Sequence, residues 1–91
     1  MPSAPLAIIN KKGLHARAAA KFVKIVENCE ANVTVKKIGD DTEVTGGSIL
    51  GLMMLGADQG SQLQVVAEGP NADKVMKELE QLLANKFGEP E

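Results

Sequence analysis

Apolar and polar residues alternate with two different periods along this chain, and these periods predict two helices and two strands. From Ala16 to about Asn28 and from Ala72 to Phe87, apolar residues recur every three to four positions, which is the spacing of an amphipathic helix. Residues 32–38 (NVTVKKI) and 61–68 (SQLQVVAE) instead alternate with a period of two, as a strand with one buried face does.

Three shorter segments complete the predicted order of elements, which is βαββαβα. Residues 6–9 form a short apolar strand, and residues 42–45 (TEVT) return the chain as a partner strand after the turn GDD. Residues 46–56 (GGSILGLMMLG) predict a short apolar helix bracketed by glycines. Helices that interrupt strands able to pair antiparallel predict an α+β fold, an open-faced two-layer sandwich with the helices on one face of the sheet.

The composition limits the classes of function. A chain of 91 residues predicts a single domain, residues 1–91, whose core is too small to enclose a large substrate cavity. The formal net charge of −2 and the absence of tryptophan and tyrosine argue against a nucleic-acid partner, since neither overall attraction nor stacking platforms are available. No apolar run approaches the roughly 20 residues that span a bilayer, and the amino terminus does not resemble a secretion signal. We therefore expect a cytoplasmic protein without direct membrane insertion.

The single histidine of the chain, His15, lies between a loop and the start of a predicted helix. The first backbone N–H groups of that helix, those of Ala16, Arg17 and Ala18, lack carbonyl partners within it and favour an anion, as does the helix dipole. The guanidinium of Arg17 adds donors that match phosphate oxygens. A neutral imidazole nitrogen is also a nucleophile, so this arrangement could accept a phosphoryl group and stabilise its charge.

Other roles for a lone histidine must be compared with this one. A single histidine near a helix start is more often a surface or capping residue than a catalytic one. One histidine and one distant cysteine, Cys29, supply no set of spaced metal ligands, and no serine–histidine–acid arrangement is evident. We therefore expect neither metal nor cofactor. Cys29 itself excludes an internal disulfide and is most simply a small buried hydrophobe.

Two motifs together resemble those of a known family. The segment GLHARAAAKFV, residues 13–23, is similar to the active-site segment of the HPr family, the histidine-containing phosphocarriers of the bacterial phosphoenolpyruvate-dependent sugar phosphotransferase system. The segment GGSILGLMMLG is similar to that family's regulatory serine and short second helix. The resemblance covers essentially the whole chain and implies a four-stranded antiparallel sheet with three helices.

The resemblance also implies a function and partners. His15 would take a phosphoryl group from phosphorylated enzyme I and pass it to a histidine of an enzyme IIA domain, with Arg17 assisting. The protein would thus be a stoichiometric carrier rather than an enzyme, and we expect it to act as a monomer. The family commonly has proline after the arginine, whereas this chain has Ala18, whose additional N–H would affect phosphohistidine lifetime rather than abolish the function.

Charged and apolar residues near the motifs predict a docking surface. Lys21 and Lys24 follow Arg17 at helical spacing and form a local basic patch on a chain of negative net charge. This patch is suited to an acidic partner surface. The same pattern also fits an ordinary solvated face. In the second predicted helix, Leu52 and Leu55 can face the core. Ile49, Leu50 and Met53 are then left partly exposed for docking, while Met54 fits a crowded core position.

Ser48 carries two compatible interpretations. It directly precedes the short helix and is predicted to be its N-cap. In the family that it resembles, this serine is also the target of HPr kinase/phosphorylase, so regulatory phosphorylation is implied as well. Two alternatives to sugar uptake remain open. One is a carrier in a nitrogen-related or purely regulatory phosphotransfer branch, and the other is a small non-catalytic binding module with a passive histidine.

Overall fold

The computed structural model describes residues 2–89, and its helices and strands follow the order that the sequence predicts. The elements are β1 (Ser3–Ala7), α1 (Ala16–Cys29), β2 (Asn32–Lys37), β3 (Glu43–Thr45), α2 (Ile49–Met54), β4 (Gln62–Glu68), α3 (Ala72–Ala84) and a 3₁₀ turn (Lys86–Gly88). Among the described residues, no helix is both long and apolar enough to cross a membrane.

The four strands form one antiparallel sheet in the order β1-β4-β2-β3. Val35 lies at the centre of this sheet, where it is paired with Val44 on one side and with Val65 on the other. The two valines in β2 and β4 are completely buried, because the period-two pattern of both strands directs the same set of side chains towards the helices. The predicted α+β open-faced sandwich and its hairpin of β2 and β3 are confirmed.

The core lies between the sheet and the three helices. The apolar stripe of α1 buries Ala18, Ala19, Phe22, Val23, Val26 and Cys29, and that of α3 buries Ala72, Val75, Met76, Leu79 and Leu83. These stripes pack on the inward side chains of the strands, which include Leu6, Val33, Val35, Leu63, Val65 and Ala67. Burial of this continuous apolar surface holds the amino-terminal end of α1, and therefore His15, in a fixed position.

The carboxyl-terminal part of the chain differs from the prediction. The apolar period predicts a helix as far as Phe87, but α3 ends at Ala84, and Lys86, Phe87 and Gly88 follow with φ angles of 56°, 56° and 73°. A left-handed conformation costs about 1–2 kcal/mol at each non-glycine residue. Burial of the Phe87 side chain, which is 1% exposed, offsets this cost.

Strand β1 also begins and ends earlier than predicted. We expected it at residues 6–9, whereas pairing with β4 begins at Ser3 and ends at Ala7. Both apolar residues that led to the prediction, Leu6 and Ile8, are nevertheless buried, and the N–H of Ile8 donates to Ser61 at 2.8 Å just beyond the strand. Ser3, Pro5 and Ala7 occupy the exposed positions of this edge strand, and the apolar pattern alone does not reveal that they belong to it.

Candidate functional site

His15 is the N-cap residue of α1 and presents its imidazole at the surface. Its backbone is extended, with φ −85° and ψ −179°, and its carbonyl accepts the first helical hydrogen bond from the N–H of Ala19 at 2.8 Å. The imidazole makes no capping hydrogen bond to the helix, and 29% of the side chain is exposed. The ring is therefore available to a second molecule while its backbone is fixed by the helix.

The three backbone donors predicted to face an anion are not equally accessible. Within residues 2–89, the N–H groups of Ala16, Arg17 and Ala18 have no hydrogen-bond acceptor. Ala16 and Arg17 are exposed, whereas Ala18 is completely buried. The N–H of Ala18 is therefore covered, whereas Ala16 and Arg17 are surface residues.

The basic residues of α1 divide into two kinds. Arg17 and Lys24 are exposed, and neither side chain has a hydrogen-bond or ion-pair partner in the described part of the chain. Lys21 is half-buried, and its ammonium donates a hydrogen bond to the carbonyl of Phe87 at 2.5 Å. We expected all three on one exposed face, so Lys21 differs from the prediction in being tied to the carboxyl-terminal segment.

A carboxylate occupies one nitrogen of the imidazole. Nε2 of His15 is in hydrogen-bonding contact with Oε2 of Glu89, and the two residues are 74 positions apart in sequence. An ionised carboxylate only accepts hydrogen bonds, so Nε2 must carry the proton. In the neutral ring the lone pair then lies on Nδ1, which has no partner among residues 2–89. The contact therefore leaves Nδ1 as the ring nitrogen with a free lone pair.

Asn10 fixes the other oxygen of the same carboxylate. Its Nδ2 donates to Oε1 of Glu89 and to the carbonyl of Gly13, each at 2.9 Å, and the Asn10 side chain is completely buried. Within the described residues its Oδ1 has no hydrogen-bond partner. The hydrogen bond from His15 is the largest cause that lowers the pKa of Glu89 below 4.5, followed by that from Asn10, and the charge of Lys12 contributes less. Glu89 is therefore ionised near neutral pH.

The predicted second site lies at the start of α2. The hydroxyl of Ser48 accepts a hydrogen bond from the N–H of Gly51 at 3.0 Å, so the predicted N-cap is confirmed. Leu52 and Leu55 are buried, as expected. The remaining large side chains of α2 are exposed and form what we call the α2 patch, which consists of Ile49, Leu50, Met53 and Met54.

Met54 corrects one expectation. A crowded core position was one interpretation of this residue, but 71% of the side chain is exposed, because α2 turns only Leu52 towards the core.

Cys29 has the buried environment that the sequence predicts. Its Sγ donates to Oε2 of Glu78 at 3.1 Å, and the side chain is 2% exposed. Burial, and after it the contact with Glu78, raises the pKa of this thiol above 9.0, so the thiol is protonated and unreactive. Among residues 2–89 no group of three or more histidine, cysteine, aspartate or glutamate side chains could hold a metal ion.

Asn10 and Glu89 were not among the site residues predicted from the sequence. Asn10 directly follows the first apolar segment and belongs to no periodic pattern. Glu89 comes after the last helix, and only the left-handed turn at Lys86–Gly88 brings it back to α1. An asparagine between an apolar segment and a loop that contains glycine was the one available signal in the sequence, and it does not indicate a distant partner.

Comparison with known proteins identifies the family. A family model described as "PTS HPr component phosphorylation site" matches residues 2–85. The chain is 42% identical to the phosphocarrier protein HPr of Pseudomonas aeruginosa over 91 residues, the full length of both. The structure matches HPr-C-His from Thermoanaerobacter tengcongensis with a TM-score of 0.92 and 38% identity, covering 100% of each chain. An HPr dimer from the same organism matches with a TM-score of 0.76 and 39% identity, covering 98% of this chain and 100% of that one.

The open-faced sandwich described above is thus the fold of small phosphocarrier proteins. The chain belongs to the HPr family of the phosphotransferase system.

Proposed function

We propose that this protein is a cytoplasmic carrier that receives a phosphoryl group on His15 from phosphorylated enzyme I and transfers it to a histidine of an enzyme IIA domain. The observation that carries the proposal is the position of His15, a half-exposed imidazole at the first turn of α1 in a chain of the HPr family. The N–H groups of Ala16 and Arg17, which have no acceptor among the described residues, and the guanidinium of Arg17 would stabilise the arriving charge. The chain would be a stoichiometric carrier rather than an enzyme, and it would act as a monomer.

In the proposed transfer, the lone pair on Nδ1 of His15 attacks the phosphorus of the donor phosphohistidine. A new P–N bond forms while the donor P–N bond breaks, and the donor ring keeps the bonding electron pair. A donor ring protonated on its other nitrogen leaves as neutral imidazole. His15 retains its proton on Nε2, so the phosphorylated ring is cationic beside the carboxylate of Glu89. In the second transfer His15 is the donor, and a lone pair of the acceptor histidine attacks the phosphorus while the P–N bond to His15 breaks.

Labelling with radioactive phosphoenolpyruvate and purified enzyme I tests the proposal. The protein should acquire acid-labile, base-stable phosphate, and His15→Ala should acquire none. Arg17→Ala should fold normally and accept phosphate more slowly, because it removes donors from the phosphate and none from the core. Lys24→Ala is the matched control, since it removes an exposed, unpaired cation from the same helix. Labelling that persists in His15→Ala would falsify the proposal.

A further inference from the structure

Residues 86–89, which follow α3, form a strap across the amino-terminal end of α1. The N–H of Gly88 donates to the carbonyl of Asn85 at 2.9 Å, and that of Glu89 donates to Lys86 at 3.0 Å, so the turn is closed by its own backbone. Phe87 anchors the turn in the core, and Lys21 holds its carbonyl from α1. This strap, residues 86–89, lies beyond the part of the chain that the family model matches.

The strap places the carboxylate of Glu89 against the imidazole of His15. Glu89 is 12% exposed, and both oxygens of its carboxylate are engaged, Oε2 by His15 and Oε1 by Asn10. Because Asn10 is completely buried and also donates to the loop carbonyl of Gly13, it holds the carboxylate from the protein side. The closed turn of the strap and the hydrogen bond from Asn10 therefore hold the carboxylate independently of the imidazole, as is required of a group that orients a ring.

We propose that Glu89 is a positioning residue of the phosphoryl-transfer site. It holds the proton on Nε2 of His15 and orients the ring so that the Nδ1 lone pair faces the incoming phosphoryl group. This inference rests on the proposed function and deepens it by adding a group that does not touch the phosphate. A carboxylate that accepts a hydrogen bond from one ring nitrogen of a histidine fixes the tautomer and the orientation of the ring. It also stabilises the cation that forms when the other nitrogen reacts.

The negative charge of Glu89 has a second effect on phosphoryl transfer. When the phosphoryl group binds Nδ1 and Nε2 keeps its proton, the ring becomes cationic, and the carboxylate faces that charge directly. The carboxylate contacts Nε2, whereas the phosphoryl group binds Nδ1 on the other side of the ring, and this separation limits the repulsion between carboxylate and phosphate. Nearby Lys12 offsets part of its negative charge. The carboxylate should therefore promote phosphoryl acceptance.

Nuclear magnetic resonance of ¹⁵N-labelled protein tests the contact without any phosphate. In the wild type the Nε2–H proton of His15 should be observable and protected from exchange with water. In Glu89→Ala that signal should broaden beyond detection and the Nδ1–H tautomer should become populated. Glu89→Gln keeps an oxygen acceptor and should retain part of the signal. Glu80→Ala, which removes an exposed carboxylate from α3, is the control and should leave the signal unchanged.

Transfer kinetics then test the role. At saturating phosphorylated enzyme I, Glu89→Ala should accept phosphate roughly tenfold more slowly than the wild type, with Glu89→Gln between them and Glu80→Ala equal to the wild type. Equal rates for Glu89→Ala and Glu80→Ala would overturn the proposal, and so would a faster rate for Glu89→Ala, which would make Glu89 an obstacle. An unchanged Nε2–H signal in Glu89→Ala would overturn it too. If the wild type takes no phosphate at all, the proposed function fails, whereas the resonance measurement still reports on the contact.

Discussion

The ammonium of Lys21 donates a hydrogen bond to the carbonyl of Phe87, and this 2.5 Å contact joins the middle of α1 to the carboxyl-terminal strap. Phe87 has a left-handed backbone, so its carbonyl is not used by a helix and is available to the lysine. The two residues are 66 positions apart in sequence. Their contact helps to maintain a turn that the backbone conformation alone disfavours.

We expect Lys21→Met to loosen the strap while preserving the apolar stem of the side chain. Loss of this hydrogen bond should lower the free energy of unfolding by about 1 kcal/mol. The matched control is Lys24→Met, which removes an exposed and unpaired lysine one turn later and should change stability by less than about 0.5 kcal/mol. Urea unfolding of both variants measures the difference. Equal midpoints would mean that the contact contributes nothing.

The carboxyl-terminal end of α1 provides a second test of left-handed strain. Glu30 caps this helix with φ 51° and ψ 40°, a conformation that glycine adopts without cost. We expect Glu30→Gly to raise the free energy of unfolding by about 1 kcal/mol. The same change at Glu27, inside the helix, should lower it by about 1 kcal/mol. Thermal or urea unfolding should thus show opposite signs for one substitution at two positions three residues apart.

Local patterns were sufficient to predict most of the fold. The strands β2 and β4 and the helix α1 follow from the periods of consecutive residues, and the Ser48 N-cap follows from the residues around it, whereas the bounds of β1 did not follow from its apolar residues. The end of α3 does not, because Phe87 is four residues after Leu83, as the next apolar position of a helix would be. Whether its ring is buried by a helix or by a left-handed turn depends on packing against α1, which a local pattern does not contain.

The candidate site shows the same division between local and distant information. His15, Arg17 and the first N–H groups of α1 are neighbours in sequence, so a single motif was enough to predict that they lie together. Glu89 reaches His15 only because the chain turns back after α3, and no residue near Glu89 indicates the destination. Contacts that depend on tertiary packing between distant segments are the ones that sequence patterns miss.

Acid should weaken the contribution of Glu89 to stability. Its pKa is lowered in the folded protein by hydrogen bonds from His15 and Asn10, so folding favours the ionised form. That contribution is fully present above the ordinary value of 4.5 and is lost as the pH falls through the lowered folded value. We expect the melting temperature of Glu89→Gln to lie below that of the wild type at about pH 6 and to approach it as the pH falls through the lowered folded pKa of Glu89.

The comparison with Glu89→Gln isolates one carboxylate from the others. Asp40 also has a lowered pKa, chiefly because the backbone N–H of Thr42 donates to it, and it titrates in both proteins alike. A constant difference in melting temperature across the pH range would show that the charge of Glu89 contributes nothing to stability.

The α2 patch should bind enzyme I if the proposed partner is correct. Leu50 is 69% exposed in the first turn of α2, so Leu50→Glu should change the free energy of unfolding by less than about 0.5 kcal/mol. Loss of an apolar anchor and burial of a charge should weaken the complex at least about tenfold. Ile38→Glu is the control, because Ile38 is 47% exposed and outside the patch. Isothermal titration calorimetry and thermal unfolding on the same samples separate the two effects.

A phosphate on Ser48 should affect binding rather than folding. The hydroxyl already accepts a hydrogen bond from Gly51, and phosphate oxygens can accept from the same end of α2. The added negative charge, roughly 1.5 to 2 units at neutral pH, would lie at the start of α2 next to Ile49 of the α2 patch, whose exposed surface would have to be desolvated in a complex. We therefore expect Ser48→Asp, the weaker mimic, to slow phosphoryl transfer from enzyme I to His15.

Ser48→Ala separates the loss of the cap from the gain of charge. It removes the acceptor of the Gly51 N–H and should lower the free energy of unfolding by about 1 kcal/mol, while transfer to His15 continues at the wild-type rate. Ser48→Asp should retain a cap and keep the wild-type melting temperature, yet transfer phosphate more slowly. Ser48→Ala should thus change stability but not transfer, and Ser48→Asp should change transfer but not stability. If Ser48→Asp accepts phosphate as fast as the wild type does, charge at this position does not regulate docking and Ser48 acts only as a helix cap.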